Sequence, residues 1–277
     1  MNYKIIIKIL GRILFLEGLL LIIPLIVSLV YKENTYLSFL IPIIFLLILG
    51  GSLSMVKTDN KNFYAKEGFV VVGLSWVLMS IFGAFPFFIS QEIPSYADAL
   101  FETVSGFTTT GATVLSNVEG LSKGMNFWRC FTHWIGGMGV LVFILAILPS
   151  SEGQNIHLLK AESTGPQVGK LVSKVRFTAR ILYLIYFALT LIEVVLLLFG
   201  GRNLYDSICT SFATAGTGGF GIYNDSVASF NLYCQIVIGV FMLIFGVNFN
   251  IYYLLLIGKV KQALKSEELR WYLGIVT

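Results

Sequence analysis

The chain has 277 residues, of which 56% are hydrophobic and 12% charged, and its formal net charge is +4. Soluble globular domains carry about 25% charged residues, so this chain has too little polar surface to coat a soluble body. The composition reads as an integral membrane protein. Three cysteines (Cys130, Cys209, Cys234) have no metal-ligand spacing, and their odd number argues against a disulfide framework; they read as small apolar fillers.

Lys4, Lys8 and Arg12 precede an apolar run that continues to Tyr31 without a small-x-small cleavage site, the pattern of an uncleaved anchor. Crossing the hydrocarbon core takes about 20 apolar residues as a helix. Six segments meet or approach that length: Ile13–Tyr31, Leu37–Val56, Gly68–Ser90, Phe127–Leu148, Ile181–Phe199 and Leu232–Ile257. Two shorter apolar stretches, Ala97–Phe107 and Tyr205–Ala215, reach only halfway at about 1.5 Å per residue, which suits re-entrant half-helices. Trp271 to Thr277 reads as the opening of a further span.

Orientation follows from lysine and arginine. With the N-terminus in the cytoplasm, fifteen of the nineteen basic residues fall on one side: the first twelve residues, the Lys57–Lys66 loop, Lys160 to Arg180 and Lys259 to Arg270. Only Lys32, Lys123, Arg129 and Arg202 fall outside. Two threonine-glycine loops then face the extracytoplasmic side, Phe107-Thr-Thr-Thr-Gly-Ala-Thr113 and Phe212-Ala-Thr-Ala-Gly-Thr-Gly-Gly-Phe-Gly221. Each lies between a span going out and a span coming back. An aspartate precedes the key glycine by thirteen residues in both, Asp98 before Gly111 and Asp206 before Gly219, so the unit repeats at an offset of 108 residues.

Non-helical backbone at membrane depth is tolerated only where it is buried in protein or lines a watery cavity, and bare carbonyls replace the hydration shell of a cation. Thr109, Thr110 and Gly111 in the first loop, and Thr217, Gly218 and Gly219 in the second, are the expected ion-binding positions. Asp98 and Asp206 are expected to cap the outer ends of the half-helices. The opposite, negative ends of the helix dipoles then point at the cavity and favour a cation. Glu102, one turn into the first half-helix, is a candidate support for its loop. With no carboxylate ring at the glycines, a weakly hydrated monovalent ion fits better than calcium or magnesium.

At these residues the chain resembles a known family. Asp98-Ala-Leu-Phe-Glu-Thr-Val-Ser-Gly-Phe-Thr-Thr-Thr-Gly-Ala-Thr113 resembles the first pore loop of the TrkH/KtrB-type potassium transport proteins. His133-Trp-Ile-Gly-Gly-Met-Gly139 is similar to the helix that follows it. Asp206 to Gly221 resembles the second loop, and Phe245-Gly-Val-Asn-Phe249 its following helix. Gly165-Pro-Gln and Thr178-Ala-Arg-Ile181 fit the TrkH branch. The resemblance covers essentially the whole chain and implies an all-α, potassium-channel-like membrane fold in which four span–half-helix–loop–span repeats surround one pore.

Only two such repeats are legible, as in an N-terminal portion of that architecture. The expected divisions are an accessory hairpin at 1–60, a first repeat at 61–150, a basic cytoplasmic loop at 151–179, a second repeat at 180–260 and the start of a third at 261–277. The resemblance further implies potassium as the transported ion with no organic cofactor. It also implies a cytosolic nucleotide-binding regulatory subunit of the TrkA type, a homodimer in the lipid of the cytoplasmic (inner) membrane, and no nucleic-acid partner. A non-conducting assembly half of such a transporter is the alternative. An intramembrane enzyme built on Glu102 and His133 has no paired nucleophile. His133 reads as a packed histidine bonded to a neighbouring helix, Gly136, Gly137 and Gly139 read as close-packing positions, and Glu17 and Glu193 are intramembrane carboxylates with Arg12 and Arg180 as conceivable partners.

Overall fold

The computed structural model describes residues 1–58, 65–139 and 175–276. Residues 151–174 of the expected basic loop 151–179, including Gly165-Pro-Gln, lie outside them, as do Lys61 and the second half of the Phe127–Leu148 span. Every regular element among the described residues is helical. They are α1 (Tyr3–Leu20), α2 (Ile22–Val30), α3 (Tyr36–Ser54), α4 (Ala65–Gly83), α5 (Phe85–Ile89), α6 (Tyr96–Phe107), α7 (Lys123–Gly137), α8 (Val175–Phe199), α9 (Leu204–Ala215), α10 (Leu232–Gly246), α11 (Phe249–Leu256), α12 (Val260–Leu264) and α13 (Glu267–Val276).

Four stretches among the described residues are long and apolar enough to cross a membrane: Tyr3–Val30, Tyr36–Ser54, Lys66–Ile89 and Ala179–Phe199. The first begins ten residues earlier than the apolar run at Ile13. The apolar run misses these residues because Lys4, Lys8 and Arg12 punctuate a helix whose Ile5, Ile6 and Leu10 are buried. α1 and α3 pack against each other. Their contact is close because Gly11 and Gly50 face the partner helix, where a Cβ on Gly50 would strike the Phe15 backbone and one on Gly11 the backbone at Leu53.

The Leu232–Ile257 span, expected as one helix, is broken. α10 ends at Gly246, Val247 is extended (φ −73°, ψ 139°), and α11 leaves at 85°. Asn248 starts the new helix by accepting from the Asn250 amide at 3.0 Å. The carbonyls freed at the end of α10 find new donors: the Tyr252 hydroxyl donates to Ile244 O at 2.6 Å and the Tyr272 hydroxyl to Leu243 O at 2.8 Å. Two tyrosines thereby replace the missing turn, which satisfies helix-end carbonyls that water would otherwise have to reach. Tyr272 belongs to α13, so the segment read as the opening of a further span braces this break.

Filling the hairpin contact is expected to destabilise without touching the loops. Gly50→Val should lower the unfolding midpoint of the detergent-solubilised protein by several degrees, in line with about 1–3 kcal/mol for overpacking a close contact. Fluorescence-detected thermal unfolding reads it, and an unchanged midpoint refutes the packing argument.

Candidate functional site

α6 and α9 are twelve residues each and end in the two threonine-glycine loops. Their N-caps are Ser95 and Asn203, whose side-chain oxygens accept from the amides of Asp98 and Asp206 at 3.3 and 2.8 Å. The expectation that the aspartates themselves cap is therefore corrected by three residues. Asp98 and Asp206 occupy the third helical position, where the positive end of the dipole still favours a carboxylate. The two acids also differ. Asp98 is exposed, whereas Asp206 is buried and accepts from the Tyr223 hydroxyl at 2.8 Å. Burial first, and this bond to Asp206 second, push the Tyr223 phenol up to about 12.

The C-terminal ends repeat with the 108-residue offset. The amide of Thr109 donates to Gly106 O at 3.0 Å and that of Thr110 to Ser105 O at 2.9 Å. The amide of Thr217 likewise donates to Thr214 O at 2.8 Å and that of Gly218 to Ala213 O at 3.2 Å. This pair of bonds defines a Schellman motif, and it requires a left-handed residue just past the helix. Glycine usually supplies that residue. Here Thr109 (φ +54°) and Thr217 (φ +52°) do, and glycines in the same region follow two residues on, Gly111 (φ +74°) and Gly219 (φ +83°). A β-branched residue at positive φ is an outlier, and such strain is held in place at functional sites by the structure around it.

The two loops touch. A Cβ on Gly111 would collide with the carbonyl oxygen of Gly218, whereas one on Gly219 would meet nothing within 4 Å. Thr109 and Gly218 are half-buried and Thr110, Thr217 and Gly219 exposed. The six expected positions thus form two neighbouring strips of irregular, accessible backbone. The Thr110 hydroxyl is engaged with that of Thr108 at 2.8 Å, and Ala112 O accepts from the Ser105 hydroxyl at 2.6 Å.

α7 is wedged between the two half-helix ends. Its Thr132 lies against Gly106, its Gly136 against the Phe107 carbonyl, and its Gly137 against Gly216, so small residues on both sides permit the approach. His133 is fully buried, and among the described residues neither ring nitrogen makes a hydrogen bond, so the expected link to a neighbouring helix is not found there. Its ring packs edge-on to Phe220 with centroids 4.0 Å apart and fills the space where a side chain at position 218 would stand.

Glu102 is buried behind the first loop, where the Thr113 hydroxyl (2.8 Å) and the Val114 amide (3.1 Å) donate to it. It also forms an ion pair with Arg129 on α7, whose other arm donates from Nη1 to Gly221 O at 2.7 Å. The distribution of basic residues alone marks Arg129 as no more than an outside charge. An arginine inside an apolar span was signal enough, because intramembrane ionisable residues mark function by default. The caps were legible too, since Ser95-x-x-Asp98 and Asn203-x-x-Asp206 follow the capping-box spacing. Glu17 and Glu193 are buried and accept no hydrogen bond among the described residues, so neither pairs with Arg12 or Arg180. Thr214 stands beside Glu193, but its hydroxyl donates to Thr210 O.

The contact between His133 and Gly218 yields a rescue test. Gly218→Ala should destabilise the second loop and lower its resistance to proteolysis, and His133→Ala should restore much of it in the double variant. Strictly additive effects of the two substitutions refute the steric account.

The family model for TrkH, a cation transport protein, matches residues 37–275. The chain is 34% identical over 270 residues to the Trk system potassium uptake protein TrkG of Escherichia coli K12, covering 96% of this chain and 56% of that relative. To TrkH of the same organism it is 34% identical over 280 residues, covering 99% and 58%. The crystal structure of the potassium transporter TrkH from Vibrio parahaemolyticus superposes with a TM-score of 0.78 at 31% identity, over 91% of this chain and 52% of that one. The chain spans a little over half the length of these relatives. Family and relatives are transporters, not enzymes, and the apolar helices are those of a multi-pass membrane protein. The chain belongs to the TrkH family of cation transport proteins.

Proposed function

We propose that this chain conducts potassium ions across the cytoplasmic membrane, with the backbone oxygens of Thr109, Thr110, Gly111, Thr217, Gly218 and Gly219 replacing part of the ion's hydration shell. The observation that carries the reading is the repeated chain reversal at the ends of α6 and α9, with strained threonines and left-handed glycines at matched positions. A helix end recovers its stability with glycine at that position, so threonine there argues for a demand other than stability. The C-terminal ends of both half-helices lie beside these loops, and their partial negative charge favours a desolvated cation. The names of the relatives, potassium uptake proteins, point to the same ion.

Under this reading the chain divides as the repeats do: an accessory hairpin to residue 60, a first pore unit to 150, a cytoplasmic loop to 179, a second pore unit to 260 and a third unit's opening beyond. The N-terminus lies in the cytoplasm, by the placement of lysine and arginine. Regulation by a cytosolic nucleotide-binding subunit of the TrkA type and assembly as a homodimer belong to the same proposal. Asp98, Glu102 and Asp206 support the ion path without lining it.

Rubidium flux into vesicles, competed by potassium or sodium, tests the reading. Wild-type flux should be suppressed by potassium at lower concentration than by sodium. Gly111→Ala combines backbone strain with a clash against Gly218 and should abolish flux or discrimination. Gly219→Ala adds strain alone, about 1 kcal/mol for a side chain in the left-handed region, and should be the milder variant. Folded protein whose flux is inhibited equally by both ions, or which carries none, overturns the proposal.

A further inference from the structure

Arg129 is 2% exposed and Glu102 0%, so an ion pair is sealed directly behind the two loops. The guanidinium reaches both. Its Nε donates to Glu102, which in turn holds Thr113 and Val114 on the exit side of the first loop. Its Nη1 donates to Gly221 O on the exit side of the second, and its Cζ lies over the Phe220 ring at 3.7 Å from the centroid. Residues 113–114 and 220–221 are more than a hundred positions apart in the chain, and this one side chain joins them. Each loop is braced differently elsewhere, the first by the Ser105 hydroxyl on Ala112 O and the second by Phe220 packing on His133. Further along the same segments Asn224 accepts from the Val118 amide at 2.8 Å and donates to Glu119 and Asn117, so Arg129 is the buried brace beside the loops and Asn224 an exposed one beyond them.

We propose that Arg129 is a positioning residue that locks the two threonine-glycine loops in a fixed mutual register and thereby sets the discrimination among alkali cations; this rests on the reading of the loops as an ion path. Two physical requirements meet in the pair. The register needs two donors in a rigid plane, which a guanidinium has and an ammonium lacks. The ion path needs no net positive charge behind it, and the Glu102 carboxylate cancels the arginine. The burial of the pair makes each partner costly to remove alone. The variants therefore separate the two roles. Arg129→Lys keeps the charge and loses the fork. Glu102→Gln keeps the size and leaves a bare cation beside the path. The double variant Glu102→Gln/Arg129→Gln removes both charges.

Two measurements on the whole protein decide it: hydrogen exchange in the segments 112–116 and 219–223, and the potassium-over-sodium preference in rubidium-flux competition. Arg129→Lys should speed exchange in both segments and reduce the preference by about tenfold, equivalent to about 1.4 kcal/mol, while flux persists. Glu102→Gln should suppress flux itself, and the double variant should recover part of it. Gly50→Val, remote from the loops, should lower thermal stability with the preference unchanged, which separates a positioning role from general destabilisation. Wild-type exchange in both segments of Arg129→Lys overturns the clamp, as does a wild-type preference once the segments are loosened. A wild-type protein with no preference overturns the ion-path reading instead, and the exchange rates still decide whether Arg129 joins the loops.

Discussion

A helix that stops leaves its last carbonyls without intrahelical partners, and the architecture around both loops answers that constraint. A spanning helix postpones the problem to the interface, whereas α6 and α9 stop after twelve residues and must turn at once. The Schellman turn returns two amides to the final carbonyls, and its geometry forces the next residue into the left-handed region. With threonine there, the turn needs outside help, and α7 gives it by packing directly on both helix ends. The small residues of α7, the small residues of the half-helices and the strained threonines are parts of one solution. Enlarging any of them presses on the others.

The same constraint explains the break between α10 and α11. Val247 leaves the helical region, and the loss is repaired locally by the Tyr252 and Tyr272 hydroxyls and by the Asn248 side chain. The repair differs in kind from that at the loops. Side-chain hydroxyls cap the α10 carbonyls, so no backbone reversal or positive φ is required. Asn248 also donates to the Glu268 carboxylate at 3.0 Å, which ties the break to α13 a second time. Two ways of ending a helix thus coexist in this chain, one leaving accessible backbone and one covering it.

Much of this was legible in the letters, for identifiable reasons. Length and hydropathy separate spans from half-helices because the membrane fixes a minimum length, and α6 and α9 fall within a residue of the stretches Ala97–Phe107 and Tyr205–Ala215. The loops announce themselves because glycine and threonine interrupt apolar sequence at matched offsets. What escaped depends on three-dimensional neighbours. Nothing in Phe245-Gly-Val-Asn-Phe249 demands a break of 85° unless tyrosines stand ready to cap it, and Tyr272 lies 29 residues away. His133 resembled a polar group in need of a partner, yet it serves by shape, and only the proximity of Gly218 reveals that. The capping aspartates were misplaced by one turn because an aspartate and its N-cap neighbour share the same local chemistry, and the backbone angles decide between them.

The two loop units are alike in backbone and unlike in support, which fits how few letters Asp98–Gly111 and Asp206–Gly219 share. The turn is fixed by main-chain hydrogen bonds, which tolerate different side chains at most positions, so Ser105 and Ala213 can occupy equivalent places. The supports must match each repeat's own surroundings. On the first side Glu102 gathers Thr113, Val114 and Arg129, while on the second Asp206 is buried against Tyr223. A symmetric frame held by asymmetric braces lets each loop be adjusted separately while both keep the same turn. Arg129 is where that independence ends: it lies on the helix that belongs to the first repeat and binds a carbonyl of the second. The guanidinium is thus a buried link between loops 108 residues apart, beside the Gly111–Gly218 contact and the Asn224 hydrogen bonds to Val118, Glu119 and Asn117.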